Sequence, residues 1–270
     1  MKLTDADFTR MVEYVKNNFG INLIKKRLLI EGRLSFTLQT RGYKSYTDYI
    51  DVVLADKTGA EVAFLLDKLT TNHTFFMREK EHFEFLTETI LPYLENTVKD
   101  KELRIWSAGC SFGNEPYNLA MCIAEYFGTR KQGWDCRILA TDISTKALNF
   151  AKEGIYLKRA IDDLPPAWVA KYFVKLDDEH YQVTESLRKE IVFKHFNLME
   201  SIPFKKPFHL ISCRNVMIYF DSETRDGLVD RFYNATTEGG YLFIGHSETI
   251  QKSKNYKIIK PAIYRKTFSE

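Results

Sequence analysis

The pattern of apolar and polar positions changes character near residue 100. Before it, apolar residues recur at helical spacing. Phe8, Met11, Val12, Val15 and Phe19 share one face of a helix that Thr4 can cap and Gly20 can end. A second helical segment runs from about Lys25 to Arg41, and a third opens at Ser45 and Asp48 with Tyr46, Tyr49, Ile50 and Val53. Val62, Leu65, Leu66 and Leu69 mark a fourth, and no strand pattern occurs in this part. A helix through His82, Phe83, Leu86, Ile90 and Leu91 leads into a different regime. Short apolar runs at 103–107, 137–141, 208–213 and 240–246 read as buried parallel strands, with helices at 144–152 and 221–234 among them. From about 165 to 194 the alternation lapses. Tyr172-Phe-Val-Lys-Leu176, a turn at Asp177-Asp-Glu179, Tyr181-Gln-Val183 and Ile191-Val-Phe193 predict short antiparallel strands inserted among the sheet elements. Two short strands near 256–260 and 262–266 close the chain. The expected architecture is an all-helical domain over residues 1–75 and an α/β domain over 76–270. The latter has a Rossmann-like, mostly parallel sheet and a small antiparallel β insert at about 165–194.

The α/β half is organised around Arg104 to Ala120. Gly109 and Gly113 bracket a tight loop between the first strand and a helix that Pro116 can start. Strand, glycine loop and helix form the nucleotide-cofactor corner of an open α/β sheet. A dinucleotide would want Gly-x-Gly-x-x-Gly and bare amides facing a pyrophosphate. Here no Walker lysine follows, and Glu115 stands at the helix start, where a carboxylate repels phosphate and suits a cation. The second strand ends in Asp142, placed to accept hydrogen bonds from ribose hydroxyls. Either acid alone is explained by the helix dipole or an ordinary strand end. Together they favour an adenosyl cofactor without phosphates, S-adenosylmethionine, which carries a sulfonium and an ammonium.

A net charge of only +3 over 270 residues commits the chain to no nucleic-acid partner. The four cysteines have no metal-finger or redox spacing, and three lie in apolar runs, as reduced buried thiols do. The N-terminus has no apolar signal core and no run approaches the ~20 apolar residues of a membrane span, so a cytoplasmic protein without membrane insertion is expected. The histidines show no His-x-x-x-His pair, and no metal site is expected. No Gly-x-Ser-x-Gly elbow supports hydrolase chemistry. The loop from Thr70 to Arg78 is different: Thr70, Thr71, Asn72, Thr74 and Arg78 offer more hydrogen-bonding capacity than a helix connector needs.

Five blocks in order carry a resemblance: Thr70-Thr-Asn-His-Thr-Phe-Phe-Met-Arg78, Ala108-Gly-Cys-Ser-Phe-Gly-Asn-Glu-Pro-Tyr117, Ala140-Thr-Asp-Ile143, Cys213-Arg-Asn-Val-Met-Ile-Tyr-Phe-Asp221 and Gly245-His-Ser-Glu248. With them the chain resembles the chemotaxis receptor glutamate methyltransferase (CheR) family over nearly its whole length. The resemblance implies S-adenosylmethionine-dependent O-methylation of glutamate side chains on the cytoplasmic helices of chemoreceptors, with S-adenosylhomocysteine as product and a monomeric enzyme. By matching positions it implies cofactor contacts at Asn72, Thr74, Arg78, Glu115, Asp142, Asn197, Leu198, Arg214 and Asn215, beside Gly109 of the glycine loop. Arg78 and the Tyr219 hydroxyl are the implied catalytic groups, orienting the substrate carboxylate. Two departures stand out. Phe112 and Asn114 replace a usual Thr and Glu in the glycine loop, and Met77 replaces a usual Phe before Arg78, a volume-tolerant exchange.

Two further expectations follow. In a continuous second helix, Lys26, Arg33 and Arg41 fall within an arc of about 80°, a cationic stripe suited to binding acidic receptor helices. The β insert is expected to dock an extended receptor peptide at a free strand edge, with a mere lid over the sheet as the alternative. Two rival functions are a methyltransferase acting on another protein or a nucleic acid, and a non-catalytic adaptor that senses the cofactor. The first rival lacks the Asn/Asp-Pro-Pro-Tyr/Phe loop of nucleobase enzymes, since Arg214-Asn-Val-Met217 occupies that place. The second is disfavoured by intact Arg78, Asp142 and Tyr219.

Overall fold

The computed structural model describes residues 1–70, 72–250 and 256–268. Four helices come first: α1 (Asp5–Phe19), α2 (Arg27–Thr40), α3 (Tyr46–Ala55) and α4 (Ala60–Leu69). Thr4 and Ser45 cap α1 and α3 by accepting from Asp7 N and Asp48 N, and Gly20 ends α1 in the left-handed conformation. Gly32 does not interrupt α2. The inward faces of these helices close one apolar core, with Val15, Ile30, Leu34, Leu38, Tyr46 and Tyr49 wholly buried.

A bent helix leads to the sheet: α5 (Glu81–Phe85), one π-helical turn (Leu86–Ile90) and α6 (Leu91–Thr97). Then follow β1 (Ile105–Ala108), α7 (Asn114–Phe127), β2 (Ile138–Asp142), α8 (Thr145–Glu153), β3 (Ile155–Leu157), α9 (Lys158–Ile161), α10 (Pro166–Tyr172), β4 (Phe173–Lys175), β5 (His180–Val183), α11 (Glu185–Arg188) and β6 (Ile191–His195). The chain ends with β7 (Phe208–Cys213), a 3-10 turn at Met217–Tyr219, α12 (Ser222–Ala235), β8 (Thr236–Ile244), β9 (Tyr256–Lys260) and β10 (Ile263–Lys266).

The large sheet has seven strands in the order β6-β2-β1-β7-β8-β10-β9. Every pairing from β6 to β8 is parallel, and β10 is antiparallel to both its neighbours. Trp106 of β1 is fully buried, with Phe196, Phe204, Phe208 and Phe232 around it at centroid distances of 5.3–5.8 Å. Its indole N–H donates to Thr141 Oγ1 at 2.9 Å, so this bulky ring leaves no unpaired donor in the core. A second sheet, β3-β5-β4, is small and antiparallel.

The insert differs from its sequence reading in one strand. Ile191-Val-Phe193 lies in β6 and pairs parallel with β2 at the edge of the large sheet, while Ile155–Leu157 supplies the third strand of the small one. A three-residue apolar run looks alike in either place, because its pairing partner is set by long-range topology. Among the described residues no helix is long and apolar enough to cross a membrane.

Candidate active site

A cleft opens at the carboxyl ends of β1 and β2, where open parallel sheets bind ligands. After β1 the backbone turns sharply, with positive φ at Gly109 (82°), Ser111 (49°) and Gly113 (87°). The amides of Gly109 and Cys110 donate to the Thr141 carbonyl at 2.8 and 2.9 Å, folding the loop across the sheet end. A Cβ at position 109 would collide with the Val216 side chain, so glycine also permits one loop to pack on another. Asp142 is buried and pins the same loop: its Oδ2 accepts from Ser111 N at 2.7 Å and its Oδ1 from Ser144 N at 2.9 Å. Burial raises its carboxyl above the ordinary value, against the pull of these amides.

The floor of the cleft is built on Arg214, whose side chain is 3% exposed. Its Nη1 donates to Glu115 Oε2 at 2.9 Å and its Nη2 to Glu79 Oε2 at 3.2 Å. Nη2 also donates to the Arg78 carbonyl. The other Glu115 oxygen accepts from Ser107 Oγ at 2.7 Å. Glu79 Oε1 accepts from Asn215 Nδ2 and from the His246 amide, both at 3.2 Å. Burial pushes the Glu79 carboxyl up, but Arg214 and these donors outweigh it and leave the group below its ordinary value. Glu248, 7% exposed, takes the amides of Asn215, Ile218 and Gly245 at 2.9, 3.1 and 2.5 Å. It buckles the loop carrying Arg214 and Tyr219 onto the end of β8.

Arg78 belongs to a side wall. Left-handed φ at Met77 (58°) and Glu79 (54°) brackets it, a conformation costing of order 1–3 kcal/mol per non-glycine residue. The Arg78 carbonyl is secured by Arg214, and the half-buried guanidinium donates to the His73 carbonyl at 2.8 Å. Among the described residues no carboxylate lies in salt-bridge reach of Arg78.

The facing wall comes from the helical domain. Phe19 and Ile21 line the cleft together with Tyr219 and Phe220. Asn22 N donates to the Tyr219 carbonyl at 2.8 Å, and Ile21 bridges to Phe220. Asn197 Nδ2 reaches the Asn18 carbonyl at 2.8 Å, Ser144 Oγ reaches Asp67 Oδ1 at 2.5 Å, and Lys16 pairs with Asp221 at 2.9 Å. These contacts hold the two domains together on either side of the opening.

The carboxylates Glu115 and Asp142 line the cleft with the guanidiniums Arg78 and Arg214, and Asp142 has no cation in salt-bridge reach among the described residues. Glu115 is neutralised by Arg214 and Asp142 is not paired with a cation among the described residues. A cofactor bearing a sulfonium and an ammonium suits such a carboxylate, and a pyrophosphate does not.

A sheet with one reversed strand beside the last parallel one, a glycine turn after β1 and an acid closing β2 define an S-adenosylmethionine-dependent methyltransferase. The family model described as the CheR methyltransferase SAM-binding domain matches residues 72–264, and the CheR methyltransferase all-alpha domain matches residues 6–70. The chain belongs to the CheR methyltransferase family. It is 47% identical over 271 residues to a chemotaxis protein methyltransferase of Borreliella burgdorferi, covering 98% of this chain and 96% of the relative. Chemotaxis protein methyltransferase 2 of Vibrio cholerae is 33% identical, covering 93% and 88% of the two chains. The Escherichia coli chemotaxis protein methyltransferase is 33% identical, covering 92% and 86%.

Asn72, Thr74, Arg78, Gly109, Glu115, Asp142, Asn197, Leu198, Arg214, Asn215 and Tyr219 all line this one cleft. Thr71 lies outside the described residues. Sequence reasoning did not single out Phe19 and Ile21, which arrive from the helical domain, or Phe75, Ile143 and Val216. Glu248, in the last of the five blocks, works through backbone amides, which leave no side-chain signal in the sequence.

Lys26, Arg33 and Arg41 do not form a free stripe. Arg33 Nη1 donates to the carbonyls of Lys68, Leu69 and Thr70 at 3.2, 3.3 and 2.8 Å, tying down the end of α4 where the chain enters the cleft. Arg41 makes a two-point pair with Glu61 at 2.9 and 2.5 Å, its guanidinium 4.1 Å from the Phe64 ring centroid. Lys26 remains exposed at the start of α2.

Proposed function

We propose that the protein methylates glutamate side chains on the cytoplasmic helices of chemoreceptors, as a protein-glutamate O-methyltransferase of chemotactic adaptation. The observation that carries this reading is Arg78, an arginine in the cofactor cleft with no carboxylate in salt-bridge reach among the described residues. A guanidinium can grip a carboxylate by one or two N–H groups and leave a lone pair free to attack. A substrate glutamate, with an ordinary pKa of about 4.3, is ionised at neutral pH and needs no base. When bound, S-adenosylmethionine supplies an electrophilic methyl on its sulfonium. The chain's own residues then have to orient the carboxylate and exclude water. Arg78 and the Tyr219 hydroxyl do the first, and Phe19, Ile21, Phe75 and Phe220 do the second.

Docking of the receptor is supported by the insert. Strand β4 is an outer strand of the small sheet, and Val174 and Leu176 beside it are about half exposed (53% and 50%). Such an edge can accept an extended peptide by strand addition. The test is methyl transfer from radiolabelled cofactor to receptor-containing membranes. Base-labile label on receptor glutamates is the expected outcome, and label that is base-stable or on nucleic acid overturns the reading.

A further inference from the structure

Glu79, His82 and His246 converge beside the arginine floor, with one donor atom of each within 4.8 Å of the others, and none of the three lines the cleft. Glu79 and His82 lie at the entry to α5, and His246 follows β8. His82 is 1% exposed. Its Nε2 faces the Ala262 carbonyl at 3.4 Å, which makes that nitrogen the N–H and leaves Nδ1 as a bare lone pair. Nδ1 is buried without a hydrogen-bond partner and lies 3.5 Å from Glu79 Oε2. An imidazole lone pair and a carboxylate oxygen face to face in the interior repel each other unless something positive sits between them.

A proton is the first candidate. At 3.5 Å the Nδ1–Oε2 separation is longer than an N–H···O hydrogen bond, so the pair does not share a proton. A divalent metal is the second. Ligand atoms about 2.0–2.2 Å from a tetrahedral zinc ion are separated by roughly 3.3 Å, close to the spacing of this pair. A histidine anchored through its far nitrogen on a backbone carbonyl is the usual arrangement of a metal ligand. The exposed His246 ring lies 5.3 Å from His82, centroid to centroid, and supplies a third donor. Arg214 keeps Glu115 as its partner when Glu79 turns to a metal.

We propose that Glu79, His82 and His246 form a site for a zinc-like divalent ion, with water in the fourth position, clipping the turn after Arg78 to the end of β8. The site is tested on the untagged full-length protein by titration with cobalt(II), whose visible absorption reports four-coordinate ligation. A saturable band at one equivalent is expected, lost on adding zinc. His246→Ala, at an exposed position, and the shape-preserving Glu79→Gln should each weaken binding about 10–100-fold. No saturable band, or a His246→Ala affinity equal to wild type, overturns the proposal. All four cysteines are buried, so a sulfur-to-cobalt charge-transfer band would place the ion on a thiolate and also count against it.

Discussion

Two arginines sit within one turn of chain contact and lead opposite lives. Arg214 is buried in the floor, paired with Glu79 and Glu115 and donating to a backbone carbonyl. Arg78, whose carbonyl Arg214 grips, keeps its guanidinium half-exposed in the wall, with no carboxylate in salt-bridge reach among the described residues. A buried charge with satisfied partners costs little further and fixes geometry. A charge on a fixed backbone that no carboxylate neutralises is available to a ligand. The floor is spent on positioning so that the wall can bind.

The strongest challenge to that division is Arg214→Met. It strands two carboxylates in the interior, so unfolding in urea should show a loss of about 3–5 kcal/mol. A loss under about 1 kcal/mol would mean the floor does not depend on its charge. Arg78→Lys should do the reverse. Its melting temperature should match wild type, while methyl transfer falls about 10–100-fold, equivalent to roughly 1.5–3 kcal/mol of charge-assisted hydrogen bonding. Wild-type transfer at saturating cofactor would return Arg78 to an ordinary surface residue.

Arg33 offers a finer cut, being a positioning residue at the cleft's entrance. Arg33→Gln removes donors to the end of α4, and a cofactor affinity about three- to tenfold weaker is expected by calorimetry, near 1 kcal/mol. A change confined to KM for receptor, with cofactor binding untouched, would instead restore the cationic-stripe reading. The smallest effect is set by acid. The Glu79 carboxyl lies below its ordinary value when folded, so its contribution is present above about 4.5 and is lost as pH falls through the folded pKa. The stability difference between pH 7 and pH 3.5 should therefore be smaller in Glu79→Gln than in wild type. Equal differences would mean that Arg214 does not hold this carboxylate.

What could be read from the chain alone divides by range. The caps at Thr4 and Ser45, the helix end at Gly20 and the glycine turn are local, and each stands where its residues indicate. The residues now lining the cleft were visible because blocks of contiguous sequence carry them. Sequence and structure part company where a partner is distant. Arg33 and Arg41 share an arc on a helical wheel, but no wheel shows Thr70 or Glu61 across the domain. Ile191-Val-Phe193 has strand character, but its partner β2 lies fifty residues back, and nothing local separates that pairing from the one made by β3. Glu79 directly follows the first block and His246 lies in the last, and only the fold brings them together.

The strand order also has a consequence for how the molecule is made. The first strand synthesised, β1, lies between β2 and β7, so one of its flanks stays open until residues 208–213 have been translated. The helical core of α1 to α4 can collapse early, because domains fold as units from the N-terminus during synthesis. The turn at Arg78 is translated early too, yet its clamp Arg214 and the buckle Glu248 come from the last quarter of the chain. Between the synthesis of β1 and that of β7 the nascent protein therefore carries a bare apolar strand edge, a feature exposed to aggregation and to capture by a chaperone. The cofactor cleft cannot be complete until Arg214 and Glu248 have been made.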